Sequence, residues 1–122
     1  MKFAAWSPAA TQQALRDCDL AVIPGDVTLR KTAVKSANRM AEILRAGRLA
    51  VAYPIPSYLE FAAHAWIGED IIAGIEWAMT HRDEARARIR KGQAYVEDKF
   101  SPQALGRQWQ NALREILASP RD

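Results

Sequence analysis

Cysteine and histidine are scarce in this chain of 122 residues. Cys18 is its single cysteine, and His64 and His81 are its only histidines. Neither a disulfide scaffold nor a cluster of metal ligands is therefore expected, and no metal is assigned. Long apolar runs are also missing. The longest, residues 20–24 and 49–54, fall far short of the roughly 20 residues that cross a bilayer, so no transmembrane segment is expected. The N-terminus, MKFAAWSPAA, carries one Lys and no extended apolar stretch. It does not read as a secretory signal, and a cytoplasmic location is the expectation. The chain also lacks a glycine-rich strand-to-helix loop of the GxGxxG or Walker type, an internal repeat and a low-complexity segment.

What is present suits one soluble domain over residues 1–122. Apolar residues make up 49% and charged residues 25%, enough for one core but not two. The formal charge is +3. Much of the excess lies in residues 81–91, HRDEARARIRK, where Arg82, Arg86, Arg88, Arg90 and Lys91 outnumber Asp83 and Glu84. This run reads as a solvated helix face with ion pairs at helical spacing. No aromatic is interleaved with the arginines and no reader motif occurs, so no nucleic-acid partner is expected.

The order of elements reads as α/β. Residues 2–6 form a short apolar run that suits a strand, and Ser7-Pro8 supplies an N-cap and a first-turn proline for a helix. Thr11, Ala14, Leu15 and Cys18 give that helix one buried face. Residues 20–23 form a second strand, closed by Pro24-Gly25. The aperiodic stretch 24–34, with Gly25, Asp26, Thr28 and Arg30, reads as a loop. A helix is predicted over residues 36–46, with Ala37, Met40, Ile43 and Leu44 inward and Gly47 in the left-handed position after its end. Residues 49–53 read as a buried strand followed by the turn Pro54-Ile55-Pro56. Ser57 and Glu60 fit a capping box that opens a short helix toward His64, and residues 66–70 read as a loop or a very short strand. From Ile71 the pattern is helical. Its three stripes are Ile71, Ile75 and Met79, then Ile89, Val96 and Phe100, then Leu105, Trp109, Leu113 and Leu117, with Ser101-Pro102 parting the last two helices. The tryptophans Trp6, Trp66, Trp77 and Trp109 are expected to fill core gaps. Strand and helix alternation predicts a parallel sheet, and its uncovered edge predicts self-association.

One segment offers anion chemistry. Lys35, Ser36, Ala37, Asn38 and Arg39 open a helix after a strand and loop, where free backbone amides and the helix dipole favour a phosphate. Lys35 adds a point charge, Ser36 and Asn38 add donors, and Arg39 a bidentate fork. A plain helix cap is the competing reading. Glu42 stands further along the same helix, either as a surface carboxylate paired with Arg39 or Arg45 or as an acceptor for two ribose hydroxyls. Glu60 is already explained by the capping box. His64 follows it at helical spacing but lacks a third partner, so it reads as a packing or surface residue and no catalytic residue is assigned.

The strings CDLAVIP (18–24), KSANRMAEILRAGRLAVA (35–52), IPSYLEF, GEDIIAGIEWAM and GQAYVEDKFSP together resemble the second half of the donor-binding lobe of GT-B glycosyltransferases. The most characteristic piece, EILRAGRLAV at 42–51, is similar to that family's EAMAxGxPVV block. The tail FSPQALGRQWQNAL is similar to the closing helices. The resemblance covers nearly the whole chain. It implies a partial Rossmann-like parallel sheet of about three to four strands flanked by helices, with a helical C-terminal segment. It also implies a fragment of the nucleotide-sugar-binding lobe, whose acceptor lobe lies elsewhere in the same polypeptide. The partner so implied is a nucleotide-diphosphate sugar, bound as donor substrate with no separate cofactor. By position, Glu42 would hold the ribose and Lys35 to Asn38, with Arg39, would meet the diphosphate. Ser57, Tyr58 and Glu60 would lie near the donor sugar or nucleotide. Where retaining members carry a sugar-facing acid, this chain has Val34, so the resemblance fixes neither stereochemistry nor the sugar. A non-enzymatic α/β interaction or regulatory domain is the rival expectation.

Overall fold

The computed structural model describes residues 3–25 and 34–118. Asp26, Thr28 and Arg30 of the expected loop, and Lys2 of the expected first strand, lie outside them. In chain order the elements are α1 (Pro8–Asp17), β1 (Leu20–Ile23), α2 (Asn38–Arg45), β2 (Leu49–Ala52), a 3₁₀ segment (Pro56–Phe61) and β3 (Trp66–Ile67). Three helices follow, α3 (Ile71–Thr80), α4 (Arg82–Phe100) and α5 (Pro102–Ala118). No helix among the described residues is long and apolar enough to cross a membrane.

Short-range chemistry sets most of the boundaries. Ser7 accepts the Ala10 amide at 3.0 Å and Pro8 opens α1; Asp70 accepts the Ala73 amide at 3.1 Å to open α3. Ser101 accepts the Ala104 amide at 3.1 Å to open α5. Each side chain satisfies a first-turn N–H that the helix itself leaves free. At the end of α2 the Gly47 amide donates to the Leu44 carbonyl and the Arg48 amide to that of Ile43. Gly47 sits at φ 73°. This is the paired closure of a Schellman motif, which a residue with a Cβ enters only under strain.

The strands form one parallel sheet in the order β1-β2-β3. β2 lies in the middle, and all four of its residues are buried. On one face Ala50 and Ala52 pack with Met40, Ile43 and Leu44 of α2, with Phe61, and with Val96 of α4. On the other, Leu49 and Val51 pack with Ala85 of α4 and with Trp66, Ile71, Ile75 and Ile89. Helices therefore cover both faces, as a parallel sheet requires.

Several expectations change. The face of α1 expected to be buried is only half-covered: Thr11, Leu15 and Cys18 are half-buried and Ala14 is exposed. Residues 3–6 form no strand, because the exposed edge of β1 acquires no backbone partner among the described residues. The third strand is instead Trp66–Ile67, paired with Val51 and Ala52. The last stripe of the sequence is not buried: Leu105, Trp109, Leu113, Ile116 and Leu117 are between 41% and 79% exposed. Of the four tryptophans only Trp66 and Trp77 pack on a core, whereas Trp6 and Trp109 are exposed.

Close approach of α3 to the sheet depends on Gly74. A Cβ there would stand 2.5 Å from Trp66 and 2.6 Å from Val51. Gly74→Ala is expected to lower stability by about 1–3 kcal/mol through overpacking, read as a lower urea midpoint at unchanged slope. In the open position of Gly106, where nothing lies within 4 Å, the same change should be neutral or stabilising, since alanine favours a helix.

Candidate functional site

Parallel strands point their carboxyl ends at one edge of the sheet, and open α/β sheets place ligands there. Here that edge holds a cleft of about 520 Å³. Ile23 and Pro24 from the end of β1, and Tyr53 from the end of β2, form part of its wall. α1 contributes Thr11 and Leu15, and Trp6 stands at the border.

α2 begins in this cleft. Its N-cap is Ala37, whose side chain makes no capping hydrogen bond, so the helix starts at Asn38 and not at Ser36. The capped helices α1, α3 and α5 show what is missing at this terminus: a side-chain oxygen for the first-turn amides. Lys35, Ser36, Asn38 and Arg39 line the cleft around it. Glu42, one turn on, lines the cleft as well. Among the described residues it forms no ion pair with Arg39 or Arg45, so the surface pairing weighed from the sequence is not made.

Ser57 and Tyr58 come from the 3₁₀ segment. The Ser57 hydroxyl donates to the Lys35 carbonyl at 2.7 Å, which ties this segment to the residues that lead into α2. Tyr58 is buried in the core and reaches the cleft wall. Burial pushes its phenol above the ordinary value, and the nearby Arg39 charge opposes that rise.

The capping box read from Ser57 and Glu60 does not form. The N-cap of the segment is Ile55, without a side-chain bond, and Glu60 turns away from the cleft toward α4. It accepts from the Tyr95 hydroxyl at 2.6 Å and from Lys99 at 2.5 Å. The bonds from Lys99 and then Tyr95 hold the Glu60 carboxyl below the usual range. Glu60 thus fastens the 3₁₀ segment to α4. At this degree of exposure the ion pair is worth at most about 1 kcal/mol. Of the sequence-derived residues, Lys35, Ser36, Asn38, Arg39, Glu42 and Tyr58 share the cleft, with Ser57 bonded to its rim, while Ala37 and Glu60 do not line it.

Trp6, Thr11 and Tyr53 were not singled out for the site. For Thr11 and Tyr53 the signal lies in the topology, since a residue on the preceding helix or just past a parallel strand borders the same edge; nothing in the sequence marks Trp6. His64 lies elsewhere, half-buried, its ring 4.9 Å from that of Tyr95. Comparison of the chain with protein-family models, with curated proteins and with solved structures finds no match.

The His64 Nδ1 is buried without a hydrogen-bond partner. Burial first, and the Lys91 charge second, lower its pKa. A folded-state pKa below the unfolded value of about 6.5 means that the unfolded chain binds the proton more readily. Stability from the neutral ring is therefore full above about pH 6.5 and falls as pH drops toward the folded value. Urea midpoints measured from pH 7.5 to 5.5 should decline for the wild type and stay flatter for His64→Asn.

Proposed function

We propose that the chain is the nucleotide-sugar-binding part of a two-lobed glycosyltransferase of GT-B type, and that the cleft takes the nucleotide diphosphate of the donor. The observation that carries this reading is the meeting, in one cleft at the strand ends, of an uncapped helix start with an unpaired glutamate. An uncapped helix start attracts an anion through its amides and dipole. Lys35 and Arg39 add cations, and Ser36 and Asn38 add polar groups for the diphosphate oxygens. Glu42, whose carboxyl has no cationic partner among the described residues, suits the two hydroxyls of a ribose. Trp6 offers an exposed indole face against which a base can stack. When the sugar is transferred, negative charge grows on the leaving diphosphate, and fixed amides and guanidinium aimed at it lower the barrier. Catalytic acid or base groups and the acceptor site belong to the other lobe in this reading. Ser57 acts as a positioning residue through Lys35, Tyr58 closes the wall beneath the donor, and Glu60 has no contact with it. The sheet, in the finer description, is then a partial Rossmann-like one.

Titration calorimetry of this chain with UDP, GDP and ADP tests the proposal. One of the three should bind, and Glu42→Gln, which keeps size and helix propensity close, should weaken that binding by about 1.5–3 kcal/mol. A surface carboxylate would change affinity by only a few tenths of a kcal/mol. Unchanged affinity in a folded Glu42→Gln protein returns Glu42 to the surface and removes the ribose assignment.

The open stripe of α5, with Leu105, Trp109, Leu113, Ile116 and Leu117 exposed, also suits a lobe that lacks its counterpart. Without another surface to cover that stripe, self-association is the outcome we expect. Sedimentation should show species heavier than a monomer as concentration rises, and the pair Trp109→Ser and Leu113→Ser should reduce them; a wild-type monomer at high concentration contradicts this. The same stripe favours the second reading, a non-enzymatic interaction domain, which predicts no nucleotide binding at all.

A further inference from the structure

On the sheet face that carries Leu20 and Leu49, cover is complete over Leu49 but not over β1, where Leu20 is only half-buried. α3 and the first half of α4 lie over β2, and beside them a groove of about 930 Å³ opens at the amino ends of the strands. This is the end opposite the cleft. The floor of the groove is apolar, built from Leu20, Ile75, Ala78 and Ile89, with the exposed Met79 at one side. Its rim is the row Arg82, Arg86 and Arg90. Successive members are four residues apart on α4, so they follow one another about 6 Å apart along the helix axis.

For the free chain this row is unfavourable. Among the described residues none of the three arginines is in an ion pair, and like charges at this spacing repel. Arg82 also occupies the first position of α4, where the positive end of the helix dipole disfavours a cation. Arg88 shows the contrast. It donates to the Ala65 carbonyl at 2.8 Å, pairs with Glu84, and lies 4.7 Å from the Trp77 ring centre. The guanidinium of Arg48, also in the groove, is held by the carbonyls of Leu15 and Arg16. Asp19 is the one carboxylate in the lining. Three cations are thus aligned over an apolar floor with no structural task.

We propose that this groove docks an amphipathic helix of a partner polypeptide, with its apolar stripe on the floor and a row of carboxylates facing Arg82, Arg86 and Arg90. Charge complementarity selects the occupant. A helix with Glu at every fourth position repeats its charge at the same spacing as the arginines, so each guanidinium meets one carboxylate and can bind it through two hydrogen bonds. The α5 stripe of a second copy does not fit, because that helix carries two arginines, Arg107 and Arg114, and a single carboxylate, Glu115, in place of a row of carboxylates. A single-stranded nucleic acid would need aromatic surfaces for its bases, and no aromatic lines the groove.

Fluorescence anisotropy with synthetic helical peptides about 18 residues long provides the test on this chain. One peptide carries a leucine stripe flanked by Glu at every fourth position; two others replace Glu with Gln or with Lys. The Glu peptide should bind the wild type about tenfold tighter or more than the Gln peptide, with a marked salt dependence. The combined variant Arg82→Glu, Arg86→Glu and Arg90→Glu should lose the Glu peptide and gain the Lys peptide, with circular dichroism unchanged. Should that variant fail to fold, Arg86→Gln alone must weaken the Glu peptide. Met79→Ser, at an exposed site, should weaken it too. Equal binding of the Glu and Gln peptides overturns the proposal. So does tighter binding of oligouridylate, or of phosphatidylcholine vesicles containing phosphatidylglycerol, through the same arginines.

Discussion

A single strand, β2, has to be covered on both faces, and the architecture follows from that. Leu49, Ala50, Val51 and Ala52 are 2% exposed or less. Removing such side chains from water supplies about 1.5–3 kcal/mol for each large one. The alternation of the strand divides the contribution: Leu49 and Val51 need a partner on one side, while Ala50 and Ala52 leave room on the other for α2 to come close. Gly74 serves the first side in the same way, since its missing Cβ lets α3 approach Val51 and Trp66. α4 is long enough to serve both, with Ala85 in one cluster and Val96 in the other. Cover for β2 therefore fixes α2, α3 and α4, and through them the 3₁₀ segment that Glu60 and Phe61 hold against α4.

The cleft is a by-product of this arrangement. α2 must cross from the end of β1 back to the start of β2, so its first turn lies at the carboxyl edge of the sheet. A capped first turn would close that edge to anions; Ala37 leaves it open. The same geometry separates the two collections of charge. Lys35, Arg39 and Glu42 lie at one end of the strands, whereas Arg82, Arg86 and Arg90 lie at the other. A net charge of +3 thus describes neither place, because each is defined by which side chains are left without a partner.

Much of this was legible in the sequence wherever one residue type has one local task. The continuous apolar run at 49–52, the glycine after α2, and the Ser-Pro pairs before α1 and α5 each have a local physical meaning that tertiary contacts did not alter. The lining role of Lys35, Ser36, Asn38, Arg39 and Glu42 was legible for the same reason, since a helix after a strand in a parallel sheet starts at the carboxyl edge of the strands. Other readings failed where the pattern is shared by several outcomes. Ser and Glu three residues apart suit a capping box, but a 3₁₀ turn presents the same pair to different neighbours, here the Lys35 carbonyl and the Lys99 ammonium. Residues 3–6 are apolar enough for a strand, yet a strand exists only by pairing. The reading of residues 66–70 as a loop or a very short strand, by contrast, holds: β3 is Trp66–Ile67, two residues that the 3₁₀ segment carries past β2.

The apolar stripes of the last three helices make the same point about partners. Ile75 and Ile89 meet the sheet, whereas Leu105, Trp109 and Leu113 recur just as regularly and meet solvent. Periodicity reports that a face is meant to be covered; it does not say by what. The arginines of α4 follow the same logic in charge. Arg88 is turned toward Trp77 and the Ala65 carbonyl, and the residues two positions to either side of it are turned by about 200° around the helix, away from those partners. A run that reads as one solvated face is therefore two, one structural and one unoccupied. The division follows from the helical angle at which each arginine meets the sheet.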